Sequence, residues 1–337
     1  MSNEPQQEAI ELFGLEKERE RIQEVIDRFK EGTRSNVAVI AEPFAGRTTL
    51  VQGVQRSREE KISYIPYYSI ISGKGFLTEI EKAESIVILD NCHFLAQRKV
   101  GGFDMLDEFL RFLINSDKLF ITTWNSFAWA YLDRVMKISA FFPVTVQIPQ
   151  ISGENIKQMI LSQYDIPLRF VSHEELPNDK LISRVTRTVL FPFSSQRKEI
   201  PWIRINLGSS RRKERKAVED LVFDRLNKIA NGNPGVARII WERYLSPPEI
   251  VLENIPDLPC VVDLDINETF LLFTILSMES IQEHDLLEIA GPEFPMEKAL
   301  YRLRSAELVQ EKKGYYSTRP EALRCVAEYL KRGRMVW

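Results

Sequence analysis

Between Val37 and Gln52 the chain reads VAVIAEPFAGRTTLVQ, an apolar run followed by a short loop with one glycine, a cation and two hydroxyls. That order of residue types suits an anion. A loop that hands over to a helix aims backbone N–H groups outward at the helix start, where the helix dipole favours negative charge. A cation at the end of the loop can meet the outer oxygens of a polyphosphate, and the hydroxyl after it can complete a Mg²⁺ shell. The candidate ligand-binding residues are therefore Pro43, Phe44, Ala45, Gly46, Arg47, Thr48 and Thr49, with Thr48 the candidate metal ligand. Two features depart from an ordinary phosphate loop. Arg47 presents a planar fork where a compact ammonium is usual. Phe44 stands in a turn that glycine suits, because such turns call for positive φ. The plainer alternative is a strand-to-helix turn with no ligand.

A second cluster follows in SIVILDNCHFL, Ser85 to Leu95. A purely apolar strand delivers Asp90 at its carboxyl end, where it could hold Mg²⁺ through water or simply end the strand. Asn91 comes next; an amide can orient a water but cannot accept its proton. His93 could sense phosphate or hydrogen-bond nearby backbone, and no second ligand spacing gives it a metal role.

The elements needed to position these groups are legible as patterns. GLEKERERIQEVIDRFKEG, from Gly14 to Gly32, has Leu15, Ile22, Val25, Ile26 and Phe29 at helical spacing. Continuous apolar runs at VAVIA, SIVIL and LFITT read as buried parallel strands. A further strand is expected at Ile62–Ile70 and another at VTVQIPQ, with helices at GFLTEIEKAE, FDMLDEFLRFLINS and FAWAYLDRVMKIS between them. Strand and helix in alternation predict a doubly wound parallel sheet over residues 10–150, after a disordered lead over residues 1–9. Residues 151–250 read as a mainly helical unit, with Ser152 capping its first helix. NETFLLFTILSME, QEHDLLEIAG and PMEKALYRLRSAEL, then the hairpin LVQEKKGYYST and a last helix, predict a winged helix-turn-helix over 262–335.

Composition bounds the rest. The chain has 337 residues, 44% hydrophobic and 28% charged, enough for two or three folded domains. A net charge of -3 carries no global nucleic-acid signal, so any such signal must be local. Three cysteines and three histidines are too few and scattered for a disulfide framework or a zinc cluster, and reducing cytoplasm is the expected compartment. No secretory signal and no run long enough to span a bilayer is visible. The end, AEYLKRGRMVW, reads either as a frayed terminus or as a cut before something more hydrophobic.

Taken together, these motifs resemble the AAA+ ATPases, in the branch with the archaeal origin-recognition proteins and the signal-transduction (STAND) ATPases. The resemblance implies a P-loop NTPase domain, a helical lid and a C-terminal winged helix, and it covers residues 10–335. AEPFAGRT falls on the family's GxxGxGK[ST], with Ala41 and Phe44 in glycine positions and Arg47 in the lysine position. FGLEKERERI resembles the family's FxGRexEl lead, which packs near the adenine, with Leu15 where arginine is usual. Asp90 then falls on the metal-holding aspartate and Asn91 on the glutamate that polarises the attacking water. Asn125, in FITTWNS, matches the first sensor, although it also suits a turn before SFAW; Thr122 and Thr123 are lesser contributors. Arg238, in NGNPGVARIIWERY, falls on the lid arginine that reaches toward the γ-phosphate. Arg134, in YLDRVMK, is a candidate arginine finger for a neighbouring subunit or an exposed helix residue. The implied ligands are ATP or ADP with Mg²⁺.

The expected activity is asymmetric: binding is retained by charge, hydroxyl and Asp90, whereas Arg47 and Asn91 both weaken hydrolysis and leave a slow ATPase or none. Double-stranded DNA is a candidate partner through Lys298, Arg302, Arg304, Lys312 and Lys313 of the winged helix and through the basic stretch 197–216, where Ser209, Ser210 and Gly208 suggest an exposed loop. Residues 166–198 exceed what a simple lid requires and read as an insertion. The alternatives are a STAND-like switch that binds protein partners or copies of itself, and an inactive scaffold of a membrane-associated assembly.

Overall fold

A computed structural model describes residues 14–173, 182–190, 197–205, 217–256 and 262–335, with the two middle segments described by their backbone alone. The first domain opens with α1 (Glu16–Lys30), whose Ile22, Val25 and Ile26 are buried and which gives way to Gly32 at φ 92°. It then runs β1 (Val37–Ala41), α2 (Arg47–Arg56), β2 (Ile62–Pro66), α3 (Gly75–Lys82), β3 (Ile86–Asp90), α4 (Asp104–Asn115), β4 (Leu119–Asn125), α5 (Ser126–Met136) and β5 (Val144–Gln147). The five strands form a parallel sheet in the order β2-β3-β4-β1-β5. β2 ends at Pro66, earlier than the expected Ile70; Pro66 lies opposite Asp90, the last residue of its only partner strand β3.

Every residue of β1, β3 and β4 is buried, because helices cover both faces. Alternation divides the strands between two cores. Val37, Val39, Ile86, Ile88, Leu119 and Ile121 pack with α1 and α2 on one face. Ala38, Ile40, Val87, Leu89, Phe120 and Trp124 face the other way, into a core that continues through the rest of the chain. This parallel arrangement sets the carboxyl ends of β1, β3 and β4, and so the loop, Asp90 and Asn125, along one edge of the sheet.

The second domain holds α6 (Gly153–Leu161), β6 (Arg169–Val171), β7 (Ile182–Leu190), β8 (Arg197–Ile205), α7 (Val218–Ala230), α8 (Pro234–Tyr244) and β9 (Glu249–Val251). Ser152 caps α6 as expected, its hydroxyl accepting from Asn155 N at 3.1 Å. The unit is less purely helical than its sequence suggests. β7 and β8 pair as an antiparallel hairpin, and β6 pairs in parallel with β9. Alternation of β-branched and charged residues in ISRVTRTVL is a strand pattern that sits inside the expected insertion. Part of the basic stretch 197–216 is thus strand β8; the loop expected around position 208 lies outside the described residues.

The third domain is α9 (Ile266–Met278), β10 (Ile281–Gln282), α10 (Glu283–Ala290), α11 (Met296–Ser305), β11 (Val309–Lys312), β12 (Tyr315–Thr318) and α12 (Leu323–Arg332). Helices and hairpin come in the expected order, and β10 adds a third strand beside β12. Leu300, Leu303 and Leu308 are buried. α9 starts at a capping box between Asp265 and Glu268 and is buried nearly all round. A helix apolar on every face must be enclosed on every face, and α9 is held between its own domain and α5 of the first.

Candidate nucleotide site

The site grows from the turn between β1 and α2. Gly46, at φ 97°, lets the chain reverse into the helix in a conformation glycine adopts without cost. Phe44 also sits at positive φ, 66°, where a side chain is uncommon. What holds it there is the start of α8, in the segment expected as the lid. Asn233 caps α8 through its Oδ1, which accepts from Val236 N at 3.1 Å, and its Nδ2 donates to the Pro43 carbonyl at 2.8 Å. Gly235 lies so close that an added Cβ would come within 2.1 Å of the Phe44 carbonyl oxygen. Loop and lid are therefore in direct backbone contact. Beside them a cavity of about 230 Å³ is lined by Leu15, Phe44, Gly46, Thr49, Met159 and Arg238. Arg238 is exposed there and pairs with Glu242 at 3.3 Å.

Asp90 is the hub of the second cluster. It is 1% exposed and accepts three hydroxyls: Thr48 at 2.7 Å and Tyr64 at 2.8 Å on Oδ2, and Thr123 on Oδ1. Burial, with the Asp90 charge beside it, pushes the Tyr64 phenol up, so it stays a donor. Thr48 and Asp90 are thus joined at the start of α2. A hydroxyl and a carboxylate are the hard oxygen donors that suit Mg²⁺ held mainly by phosphate and water; Thr48 would ligate the ion and Asp90 would hold it through water. Among the described residues no group of three or more His, Cys, Asp or Glu side chains could hold a metal by itself.

Arg47 faces elsewhere. Its side chain is 5% exposed. One guanidinium nitrogen donates to the Ala41 carbonyl at 2.7 Å and the other is ion-paired with Glu279, just past the end of α9. Asn125 is fully buried: its Oδ1 caps α5 by accepting from Phe127 N at 2.8 Å, and its Nδ2 donates to the Leu276 carbonyl at 2.8 Å. Two candidate phosphate-sensing groups therefore touch the same end of the same C-terminal helix. Asn91 adopts the left-handed region at φ 63°, which asparagine tolerates. Its amide side chain donates to the Tyr67 carbonyl at 3.2 Å, and its backbone N–H to Thr123 at 2.8 Å. His93 is 1% exposed; burial, then the nearby Arg47 charge, holds its imidazole well below the usual range, against the opposing pull of Asp90.

Of the sequence candidates, the structure gathers residues 43–49, Asp90, Asn91 and Asn125 on one edge of the sheet, and Arg238 meets the loop across the cavity. Arg134 lies apart, on an exposed part of α5. Sequence reading did not single out Glu279, Tyr64 or Asn233. Asn233, in Asn-Pro-Gly, carried a helix-cap signal, but nothing marked its hold on Pro43. Glu279 is separated from Arg47 by 232 positions and carried no signal.

No family model and no curated protein matches this chain. Among solved structures it is similar to a mutant form of RuvB of Thermotoga maritima, at 13% identity over 95% of each chain and a TM-score of 0.44. It is also similar to Cdc6p of Pyrobaculum aerophilum, at 12% identity over 96% of this chain and 95% of that one, with a TM-score of 0.42. Strand order, the loop between β1 and α2, and Asp90 at the carboxyl end of β3, two strands from β1, give this chain a doubly wound parallel α/β fold of the P-loop type. Among the described residues no helix is long and apolar enough to cross a membrane.

Proposed function

We propose that the chain binds ATP or ADP with Mg²⁺ as a regulatory protein and hydrolyses the nucleotide slowly or not at all. The observation that carries this reading is the division of labour at the start of α2. Thr48 and Asp90 are paired at the helix start, Thr48 lying in sequence between the Gly46 and Thr49 that line an open cavity, whereas Arg47 and Asn91 are turned onto protein partners. When bound, Mg²⁺ would screen the phosphate charges. Thr48 and Asp90 would hold it, the first-turn N–H groups of α2 would meet phosphate oxygens, and Arg238 would close the cavity from the lid. Asn91 cannot take a proton from water, and the Arg47 charge is already compensated by Glu279, so positioning and charge stabilisation of the transition state are both weak. The regulatory part rests on contact: loop, lid and α9 all meet at this site, so a ligand there bears on how the C-terminal domain docks.

Titration of the purified chain with ATP and ADP, with and without Mg²⁺, tests this beside Asp90→Ala. Mg²⁺-dependent binding that is lost in the variant, with phosphate release no faster than about 10⁻³ s⁻¹, the order of an unassisted GTPase, is the expected result. Failure of a folded wild-type chain to bind either nucleotide contradicts it.

A DNA-linked role has narrower support. On α11 and the hairpin, Lys298, Tyr301, Arg302, Arg304, Lys312 and Lys313 are exposed. Arg302 and Arg304 are already paired with Glu268 and Glu311, at 2.8 and 3.2 Å, which reduces the charge offered to phosphate. Retention of duplex DNA that falls steeply with salt would favour this role; nucleotide-dependent assembly with no DNA retention would favour a protein-partner switch.

A further inference from the structure

We propose that Glu279 sets the phosphate count of the ligand, so that the site accepts a nucleoside diphosphate and disfavours a triphosphate. This rests on the nucleotide-binding reading above. In a phosphate loop the cation after the glycine is the group that meets the outermost phosphate. Here that cation already has an anion. Arg47 is sealed between the Ala41 carbonyl and the Glu279 carboxylate, and Glu279 reaches it from the turn between α9 and β10. The cavity lined by Phe44, Gly46, Thr49 and Arg238 has no such occupant from the C-terminal domain. The base and inner phosphates therefore have room, while the cation that would meet the outermost phosphate is held by a carboxylate of the protein itself.

A diphosphate leaves this arrangement intact. A terminal phosphate brings a second negative charge to the same guanidinium, and two anions that share one cation repel each other more where water is scarce. Displacing Glu279 also disturbs the end of α9, which is fastened to the first domain by the Asn125–Leu276 hydrogen bond of 2.8 Å. Glu279 itself sits at φ 60°, a backbone conformation that costs a residue with a side chain and persists where surrounding contacts enforce it. A triphosphate thus works against both the ion pair and the docking of α9, and its binding is coupled to release of the C-terminal domain.

The test is calorimetric titration of the full chain with Mg²⁺-ADP and Mg²⁺-ATP, in the wild type, in Glu279→Gln and in Glu279→Asn. Glutamine keeps the size and removes the charge; asparagine removes the charge and shortens the reach, so the two variants lose the ion pair in different ways. Cooperative thermal unfolding identifies the variants to be compared. The wild type should prefer ADP by about tenfold or more, and a folded variant should bring the two affinities within about threefold, mainly by gaining ATP. A wild type too closed to bind ATP at all, with binding gained in the variant, gives the same answer. If ADP binds and the ratio does not change in either variant, Glu279 does not select, and the nucleotide reading stands without it. If neither nucleotide binds to any of the three proteins, the nucleotide reading fails and this inference with it.

Discussion

Arg47 and Thr48 are adjacent in sequence and serve different parts of the molecule. Thr48 faces inward along the sheet edge and donates to Asp90. Arg47 faces the C-terminal domain and is paired with Glu279. The first corner is made within one domain, from strands β2, β3 and β4 and the start of α2, and presents oxygen ligands. The second is made between domains and presents a charge already compensated. One loop is thus divided between a residue bonded to the sheet and a residue bonded to the end of α9, and the chemistry each can do follows from its partner rather than from its residue type. A cation in the lysine position of a phosphate loop need not be a phosphate ligand when a carboxylate reaches it first.

The difference can be broken most severely at Asp90. Asp90→Ala strips the acceptor from three hydroxyls in a buried setting, and the chain should lose about 3 kcal/mol of stability together with Mg²⁺-dependent nucleotide binding. Denaturant unfolding and titration read the two effects separately. Glu279→Gln attacks the other corner. It should cost about 1–3 kcal/mol, as for a hydrogen bond to a charged group that is lost or weakened, and raise hydrogen exchange at the end of α9, while Mg²⁺ dependence stays.

Acid sharpens the same contrast through His93, which lies between Asp90 and α9. The folded chain holds the ring neutral well below its ordinary value of 6.5, so the unfolded chain binds the extra proton first. Nothing from this residue is felt above that pH. Below it, stability should fall by up to about 1.4 kcal/mol per pH unit until the folded-state value is reached. Melting temperatures in the wild type and His93→Gln, compared between pH 7.5 and pH 5, should show a steeper acid loss in the wild type. The smallest effect on stability is expected at Arg238. Its side chain is exposed and its partner Glu242 is one helical turn away, so Arg238→Ala should change stability by less than about 0.5 kcal/mol. Nucleotide affinity should nonetheless fall, and an unchanged affinity would take Arg238 out of the site.

Much of this arrangement was legible because it is written in local pattern. Runs of apolar residues marked β1, β3 and β4, and the strand-ending Asp90 and Asn125 followed from where those runs stop. Phe44 stood out as a side chain in a glycine position, and the chain adopts φ 66° there. What was not legible is carried by pairs distant in sequence. Asn125 read as a turn residue or a sensor; its Oδ1 does cap the helix that follows, and its Nδ2 also reaches Leu276 of another part of the chain, 151 positions on. Glu279 ends an apolar helix, where an acidic residue carries no special meaning. Within the segment read as an insertion, β-branched alternation at Ile182–Leu190 held a strand signal that a search for lid helices passes over.

The account turns on whether Arg47 belongs to Glu279, and a double-mutant cycle on stability measures that directly. Arg47→Gln, Glu279→Gln and the double variant, unfolded in denaturant beside the wild type, should give a coupling energy of about 1–3 kcal/mol. Additive losses, with coupling near zero, would mean that the pair does not hold the C-terminal domain to the loop, and Arg47 would again be available to a phosphate.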